Sequence, residues 1–345
     1  MSSSDPEFQW EGDPLRVAVV GVGHLGTVHA RILASHPGAE LVGVVDRDAE
    51  RVGALAEELG CETFASAEAL PDDVDAVSVV VSTPAHAAVA VPLLERGVPC
   101  LVEKPLADRL EAADEILAAA ERGGAAVTVG HVERFQPGMR RVREMGLSPR
   151  FIECHRLTAF NLRSAVVGVV HDLMIHDLDL VLDAVDAPVV EFDAAGGRIL
   201  TEHEDFASVR LVFENGARAS LTAGRVSLSP QRRYRMFAPD SYVSLDFTKN
   251  YGLVVRKGAN WKGDAAALMS LAEDAMAGRV DVLEQGLLEV EELALEGEQR
   301  PLQAELDAFL RSVRDGTPPE VSGVAGRRAL ELADQVVERI RSQAW

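Results

Sequence analysis

The feature that most constrains this chain is a glycine-rich turn near its beginning. An apolar run, Leu15 to Val20, leads directly into Gly21-Val22-Gly23-His24-Leu25-Gly26, a GxGxxG pattern, and helical spacing follows from Thr27. The pattern is weak alone and informative when it follows a buried strand and opens a helix, as it does here. This order predicts the first unit of a doubly wound parallel sheet.

The turn also indicates a cofactor. Gly21 permits the tight turn, Gly23 lets the backbone approach a pyrophosphate, and Gly26 lets helix and strand pack closely. The helix N-terminus, with His24 and Leu25, offers N–H groups and partial positive charge to phosphates. The alternative is a glycine-rich turn in an α/β fold that binds nothing.

An acidic residue follows at the expected distance. Asp46 ends the second apolar run, 20 residues after Gly26, where a carboxylate accepts hydrogen bonds from ribose hydroxyls. Because a carboxylate there repels a 2′-phosphate, NAD is expected rather than NADP. Arg47, beside it, softens that preference.

The first 130 residues alternate between the two kinds of element. Apolar runs predict strands at 15–20, 41–45, 77–81, 98–102 and 125–129, and helical spacing predicts helices at 27–35, 51–59, 85–96 and 110–122. Strands without polar alternation are covered on both faces, which is typical of a parallel sheet between two helical layers.

The pattern changes after Gly130. Residues alternate between apolar and polar at 151–157, 207–213, 217–222, 234–238 and 242–247, with turns at Glu214-Asn215-Gly216 and Pro239-Asp240. This favours an open, mainly antiparallel sheet with helices at 172–185, 265–277, 302–314 and 326–343. We therefore expect a flexible leader (1–13), an NAD-binding Rossmann domain (14–131) and an α+β domain for substrate binding and oligomerisation (132–345).

Two segments carry groups suited to catalysis. Lys104, in Glu103-Lys104-Pro105, follows the strand 98–102, and ligands bind where strands of such sheets end. Its ammonium can stabilise negative charge on a substrate oxygen, although a polar turn has the same sequence. Asp172 and His176 are four residues apart, and helical spacing would pair them as an oriented general base. A metal site and an ordinary acidic helix start remain alternatives.

Further polar residues suggest substrate contacts. His131, Arg134 and Phe135 lie in the segment that joins the two predicted domains, although Arg134 also suits a helix cap. Arginines near strands of the second sheet suggest an anionic substrate, although each alone also fits surface solubility; they are Arg156, Arg163 and Arg225.

Composition excludes several classes of protein. The net charge is −21, from 55 acidic and 34 basic residues, which disfavours binding to nucleic acid or anionic membranes. Either a salt-rich cytosol or codon bias accounts for that charge. The 3 cysteines contain no CxxC pair, so zinc ribbons and disulfide scaffolds are not expected. Neither a signal-peptide pattern nor a membrane-spanning run is evident, and a cytoplasmic protein is expected.

The motifs occur together in a known family. GVGHLG from Gly21, EKP from Glu103, RFxP from Arg134 and DxxxHxxD from Asp172 resemble, in this order, the glucose-fructose oxidoreductase / inositol dehydrogenase / rhizopine-catabolism (Gfo/Idh/MocA) family. The resemblance covers about Leu15 to Ala344. It implies a Rossmann domain followed by an α/β domain whose open sheet commonly forms dimers or tetramers.

The resemblance also implies roles for single residues. It makes Lys104, Asp172 and His176 the catalytic residues, without a catalytic metal. It further assigns to the cofactor site residues that follow two of the strands; they are Ser82, Thr83, Pro84, His86, Glu103 and Lys104.

Three segments resemble one branch within the family. GHVERFQP, HDLMIHDLDL and GRVS are most similar to the branch that oxidises UDP-N-acetylglucosamine at C3 for lipid A or related glycan synthesis. Inositol dehydrogenases share the histidine helix but usually lack a histidine at the position of His131. An inositol or free-sugar dehydrogenase is the alternative enzyme, and a non-catalytic NAD-binding sensor or scaffold is the alternative of another class.

Overall fold

The computed structural model describes residues 10–162, 166–261, 269, 286–295 and 300–343. Their backbone contacts form two compact units: residues up to Phe135 together with 300–334, and residues from Gln136 to 295 together with 335–343. In the described part of the chain, no helix combines the length and apolar character needed to cross a membrane.

The first unit contains a parallel sheet of six strands in the order β3-β2-β1-β4-β5-β6. Its strands are β1 (Leu15–Val20), β2 (Ala39–Val45), β3 (Glu62–Phe64), β4 (Ala76–Val79), β5 (Cys100–Glu103) and β6 (Val127–Gly130). Every neighbouring pair runs parallel. The predicted doubly wound parallel sheet is therefore confirmed.

Helices connect these strands as predicted. They are α1 (His24–Ser35), α2 (Ala49–Leu59), α3 (His86–Glu95) and α4 (Leu110–Gly123), with short 3₁₀ turns at Ala67–Ala69, Thr83–Ala85 and Val132–Phe135. Alternate residues of β1 enter different cores: Val17 and Val19 join one apolar cluster, and Ala18 and Val20 join another. Both faces of the sheet are thus covered, which explains why its strands show no polar alternation.

The second unit contains a mixed sheet with eight described strands in the order β14-β13-β12-β11-β7-β10-β9-β8. They are β7 (Phe151–Leu157), β8 (Val189–Gly197), β9 (Phe206–Phe213), β10 (Arg218–Gly224), β11 (Gln231–Ala238), β12 (Ser241–Asp246), β13 (Tyr251–Lys257) and β14 (Leu288–Leu293). Only β7 and β10 pair in parallel among these strands. The predicted, mainly antiparallel sheet is confirmed.

The helices of the second half are α5 (Pro137–Glu144), α6 (Ile175–Val185), α7 (Pro301–Asp315) and α8 (Gly323–Arg341). A π-helical turn, Val170–Met174, leads into α6. The helix predicted at 265–277 lies outside the described residues, apart from Met269.

The structure divides the chain differently from the sequence prediction, which assigned 132–345 to one domain. Residues 300–334 belong to the first unit, because Leu306, Phe309 and Leu310 of α7 enter the apolar cluster that contains Val17. The Val129 N–H also donates to the Val321 carbonyl. Helical spacing shows that a helix has an apolar face but not which sheet that face covers.

The end of the predicted flexible leader is packed. The Trp10 ring meets the His36 ring edge-on with centroids 5.8 Å apart, and the Arg314 guanidinium lies 4.5 Å from its centroid. A Cβ at Gly38 would lie 2.2 Å from this ring, so glycine leaves room for the indole. Residues 1–9 lie outside the described residues.

Candidate functional site

A cavity of about 360 Å³ opens at the carboxyl ends of the central strands of the first unit. It is lined by five of the residues predicted to bind the cofactor, namely Gly21, Gly23, Asp46, Arg47 and Ser82. Residues 65–68, after β3, also line it. The sequence prediction missed these residues because β3 has only three residues and no apolar run marks it.

Two glycines of the turn are required for different steric reasons. Gly21 has φ +90°, and a Cβ there would lie 2.6 Å from the Val80 carbonyl oxygen. A Cβ on Gly26 would lie 1.8 Å from the Gly21 carbonyl oxygen. The helix α1 begins after Gly23 without a side-chain cap, so its first N–H groups suit an anionic ligand.

Asp46, which lines the cavity, accepts hydrogen bonds from two backbone N–H groups. Its Oδ2 accepts a hydrogen bond from Val22 N at 2.7 Å, and its Oδ1 accepts one from Asp48 N at 3.0 Å. A carboxylate has about four lone-pair sites, so it can still accept from ribose hydroxyls. The residues of this cavity therefore fit NAD.

The other predicted cofactor residues do not line this cavity. His24 and Leu25 are exposed in the first turn of α1, and Thr83 and Pro84 form part of a 3₁₀ turn. His86 is buried; its Nδ1 lies 3.1 Å from the Pro105 carbonyl oxygen and its Nε2 lies 3.2 Å from that of Val81. Burial lowers the pKa of His86 despite these carbonyls. His86 thus fixes two loops beside the cavity.

A chain of buried polar side chains leads to the backbone N–H of Lys104. His29 Nδ1 lies 2.9 Å from Ser78 Oγ, and His29 Nε2 lies 3.4 Å from Glu103 Oε1. The other oxygen of Glu103 accepts a hydrogen bond from Lys104 N at 3.1 Å. The sequence prediction missed His29 and Ser78 because they lie inside a helix and a strand, where the pattern indicates only residues that pack in the core.

The linker residues predicted to touch substrate lie within the first unit. His131, Arg134 and Phe135 are all buried. Phe135 belongs to an apolar cluster of this unit, and Arg134 Nη1 donates to the Glu320 carbonyl at 3.5 Å. Their substrate contacts stay predictions.

In the second unit, Asp172 and His176 are half-buried near the start of a helix. Asp172 lies in the π-helical turn and His176 in the first turn of α6. The prediction of a regular helix from Asp172 was therefore wrong in detail. Spacing does not distinguish the two, because an α and a π turn differ by less than one residue.

Two neighbouring buried acids accept backbone hydrogen bonds, Glu204 from the turn that begins this helix and Asp205 from the loop after β8. Glu204 Oε1 accepts a hydrogen bond from Val170 N at 3.3 Å. Asp205 Oδ2 accepts one from each of three backbone N–H groups, at 2.8, 2.6 and 2.8 Å; the donors are Ile199, Leu200 and Thr201. Burial alone would raise the pKa of Asp205, but these donors and the Thr201 hydroxyl outweigh it and lower the pKa to about 2.

Two arginines proposed for an anionic substrate have structural partners. Arg225, which is 1% exposed, lies 3.5 Å from Asp205 Oδ1 and donates to the Val167 carbonyl. Arg156 makes two hydrogen bonds to Asp177, at 2.9 and 2.6 Å. Arg156 therefore ties β7 to the helix that carries His176. Arg163 lies outside the described residues.

The second unit has a cavity of its own, of about 230 Å³, at the end of β7 and the start of β11. Its walls combine apolar, hydroxyl, amide and guanidinium groups; they are Arg156, Leu157, Thr158, Leu173, Pro230, Gln231, Arg232, Phe247 and Thr248. Among the residues described, no three or more His, Cys, Asp or Glu side chains are grouped as metal ligands.

Two family models match the chain. Residues 15–131 match the model described as "Oxidoreductase family, NAD-binding Rossmann fold", and residues 149–240 match the "GFO/IDH/MocA C-terminal domain". The first match confirms the prediction of an NAD-binding Rossmann domain.

Curated relatives match over nearly the whole length. UDP-N-acetylglucosamine 3-dehydrogenase of Acidithiobacillus ferrooxidans is 37% identical over 93% of this chain and 96% of its own. Its solved structure superposes with a TM-score of 0.82 at 35% identity, covering 95% of this chain and 98% of that one. Myo-inositol 2-dehydrogenase of Thermotoga maritima is 25% identical over 92% of this chain and 94% of its own.

Proposed function

Because this chain belongs to the GFO/IDH/MocA oxidoreductase family, we propose that it oxidises the 3-hydroxyl of UDP-N-acetylglucosamine to a ketone. The observation that carries the proposal is the 37% identity to a UDP-N-acetylglucosamine 3-dehydrogenase across 93% of the chain. The inositol dehydrogenase that matches over a similar length is 25% identical.

The proposed roles follow from the chemistry of alcohol oxidation. The glycine-rich turn and Asp46 would hold NAD, which would supply the acceptor for the hydride of the alcohol carbon. Lys104 donates a hydrogen bond to the reacting hydroxyl and stabilises the alkoxide. His176 accepts the hydroxyl proton as general base, and Asp172 orients these groups.

The structure supports these roles within each unit. Lys104 follows the carboxyl end of β5, and ligands bind at the carboxyl ends of the strands in doubly wound folds. Its backbone N–H donates a hydrogen bond to the Glu103 carboxylate. His176 lies one turn after Asp172, and the Arg156–Asp177 ion pair anchors the next residue of the helix.

Two further properties belong to the proposal. We expect a homodimer or homotetramer that forms through the sheet of the second unit, which exposes apolar side chains at Phe151, Phe237, Tyr251 and Val290. We also expect a cytoplasmic enzyme, since NAD is an intracellular metabolite and the three cysteines are unpaired.

The decisive experiment follows NADH fluorescence with NAD, UDP-N-acetylglucosamine and a carbonyl trap, because oxidation of an alcohol by NAD is usually unfavourable. A signal that needs the trap and is absent with free N-acetylglucosamine supports the proposal. Activity with myo-inositol or a free sugar, and none with UDP-N-acetylglucosamine, would show that the proposed substrate is wrong. Bound NAD without activity on any of these would favour a sensor.

Variants test the roles in the same assay. We expect Lys104→Ala to lower kcat by about 10²–10³-fold while NAD binding persists. Lys257→Ala is the matched control, since the Lys257 ammonium lies at the surface, where it pairs with Asp240. For His176→Ala, a rise in KM with unchanged kcat would contradict the role of general base.

A further inference from the structure

The cavity of the second unit touches the helical turn that leads to the proposed base. Leu173, between Asp172 and Met174, lines it, and the same helical segment continues to His176. Ligand pockets usually measure about 300–1,000 Å³, whereas this cavity measures about 230 Å³. It therefore suits part of a larger substrate whose reacting part lies elsewhere.

Strand register places the cationic groups on one face of the sheet. Arg232 of β11 is directly opposite Arg156 of β7, and Arg156 is held by Asp177. Successive side chains of a strand point to opposite faces, so Arg235 lies on the other face, where it pairs with Glu153 at 3.0 Å. Arg232 therefore lines the cavity, whereas Arg235 does not.

An aromatic ring fixes the orientation of Arg232. Its guanidinium carbon lies 4.8 Å from the centroid of the Phe247 ring, and the Phe247 N–H donates to the Arg232 carbonyl at 2.9 Å. A guanidinium is a planar fork of donors that matches phosphate oxygens, and its face can stack on an aromatic ring at the same time.

The other walls suit a nucleoside. Leu157, Leu173 and Pro230 are apolar and can pack on the faces of a base. Gln231, Thr158 and Thr248 supply amide and hydroxyl groups that can bond to the edge of a base or to a ribose. The chain as a whole is strongly negative, with a net charge of −21. A guanidinium in this cavity therefore favours an anionic ligand over a neutral polyol.

We propose that this cavity holds the nucleoside diphosphate end of the substrate, with Arg232 on the phosphates and the apolar walls around the base. The inference rests on the proposed function, since it makes the substrate a nucleotide sugar. It assigns discrimination against free sugars to Arg232 and Phe247, and it leaves Arg156 as the residue that anchors the helix.

The test uses UDP binding to the full chain by calorimetry, which needs neither NAD nor turnover. We expect Arg232→Gln and Phe247→Leu each to weaken UDP binding, Arg232→Gln by at least about tenfold. Arg235→Gln, three residues along the same strand, should leave it unchanged. Thermal melting checks folding, and Thr248→Val at the exposed rim is a second, milder probe.

The outcomes separate this inference from the proposed function. UDP binding that depends on Arg232 supports the cavity even if UDP-N-acetylglucosamine is not oxidised. Oxidation of UDP-N-acetylglucosamine with a KM that is unchanged in both Arg232→Gln and Phe247→Leu would overturn the cavity assignment and keep the function. Absence of UDP binding by the unmodified chain would also overturn the assignment.

Discussion

The two cavities of this protein are built by different means. The cavity of the first unit is shaped by backbone: glycines of one turn, the start of α1, and an aspartate that accepts two backbone N–H groups. The cavity of the second unit depends on side chains far apart in sequence, such as the buried Arg156–Asp177 pair. A cavity shaped by backbone geometry should keep its shape when surface side chains are exchanged. A buried ion pair, in contrast, leaves an uncompensated buried charge when one partner is removed.

The largest expected effect tests that dependence. Arg156→Met leaves Asp177 charged and buried, so we expect the free energy of unfolding to fall by about 3–5 kcal/mol. Chemical denaturation measures this. The matched control is Arg31→Met, because Arg31 pairs with Glu58 at the surface and its loss should leave the free energy of unfolding nearly unchanged.

A double variant sharpens the same point. Arg156→Met combined with Asp177→Leu removes both charges, and we expect it to recover part of the lost stability. If the double variant is less stable than Arg156→Met alone, packing around the pair matters more than its charge.

Acidification provides the second test. The pKa of Asp205 is lowered to about 2, so its contribution is present above the ordinary aspartate pKa and is lost as pH falls through about 2. We expect unfolding free energy to fall by about 2 kcal/mol from this group between pH 5 and pH 1. Denaturation at a series of pH values measures it, and Asp205→Asn should show a shallower slope. Equal slopes would contradict this origin.

The third prediction concerns the cofactor cavity. Asp46→Asn removes the negative charge but keeps one oxygen acceptor, so we expect the preference for NAD over NADP to fall by about tenfold. Fluorescence titration with both reduced cofactors measures this. Asp48→Asn is the control, since the Asp48 side chain caps α2. An unchanged preference would show that backbone shape alone selects the cofactor.

The last prediction concerns His29, whose contact with Glu103 leads to the backbone of Lys104. His29→Ala removes the contacts to Ser78 and Glu103, and we expect kcat to fall by about tenfold with little change in the Kd of NAD. His29→Gln should recover part of the loss, because an amide can still donate to Glu103. Parallel loss of kcat and NAD binding in both variants would indicate general damage to the sheet.

Much of the first unit could be predicted because its signals are local. The predicted strand Leu15–Val20 has those bounds in the structure, and Asp46 lines the cavity as expected. Among the missed strands, β3, β8 and β14 are the edges of their sheets. An edge strand is paired on one side only, so its sequence carries a weaker apolar signal, as LEVEEL of β14 illustrates.

The sequence by itself determined the two sheet types, the glycine-rich turn and the position of Lys104 directly after its strand. Only the tertiary structure decided that α7 covers the parallel sheet, that Trp10 is packed, and that Arg156 and Arg225 bind carboxylates. Periodicity reports which face of an element is buried. The partner of a charged side chain depends on which distant strands and helices meet it, and no spacing along the chain encodes that.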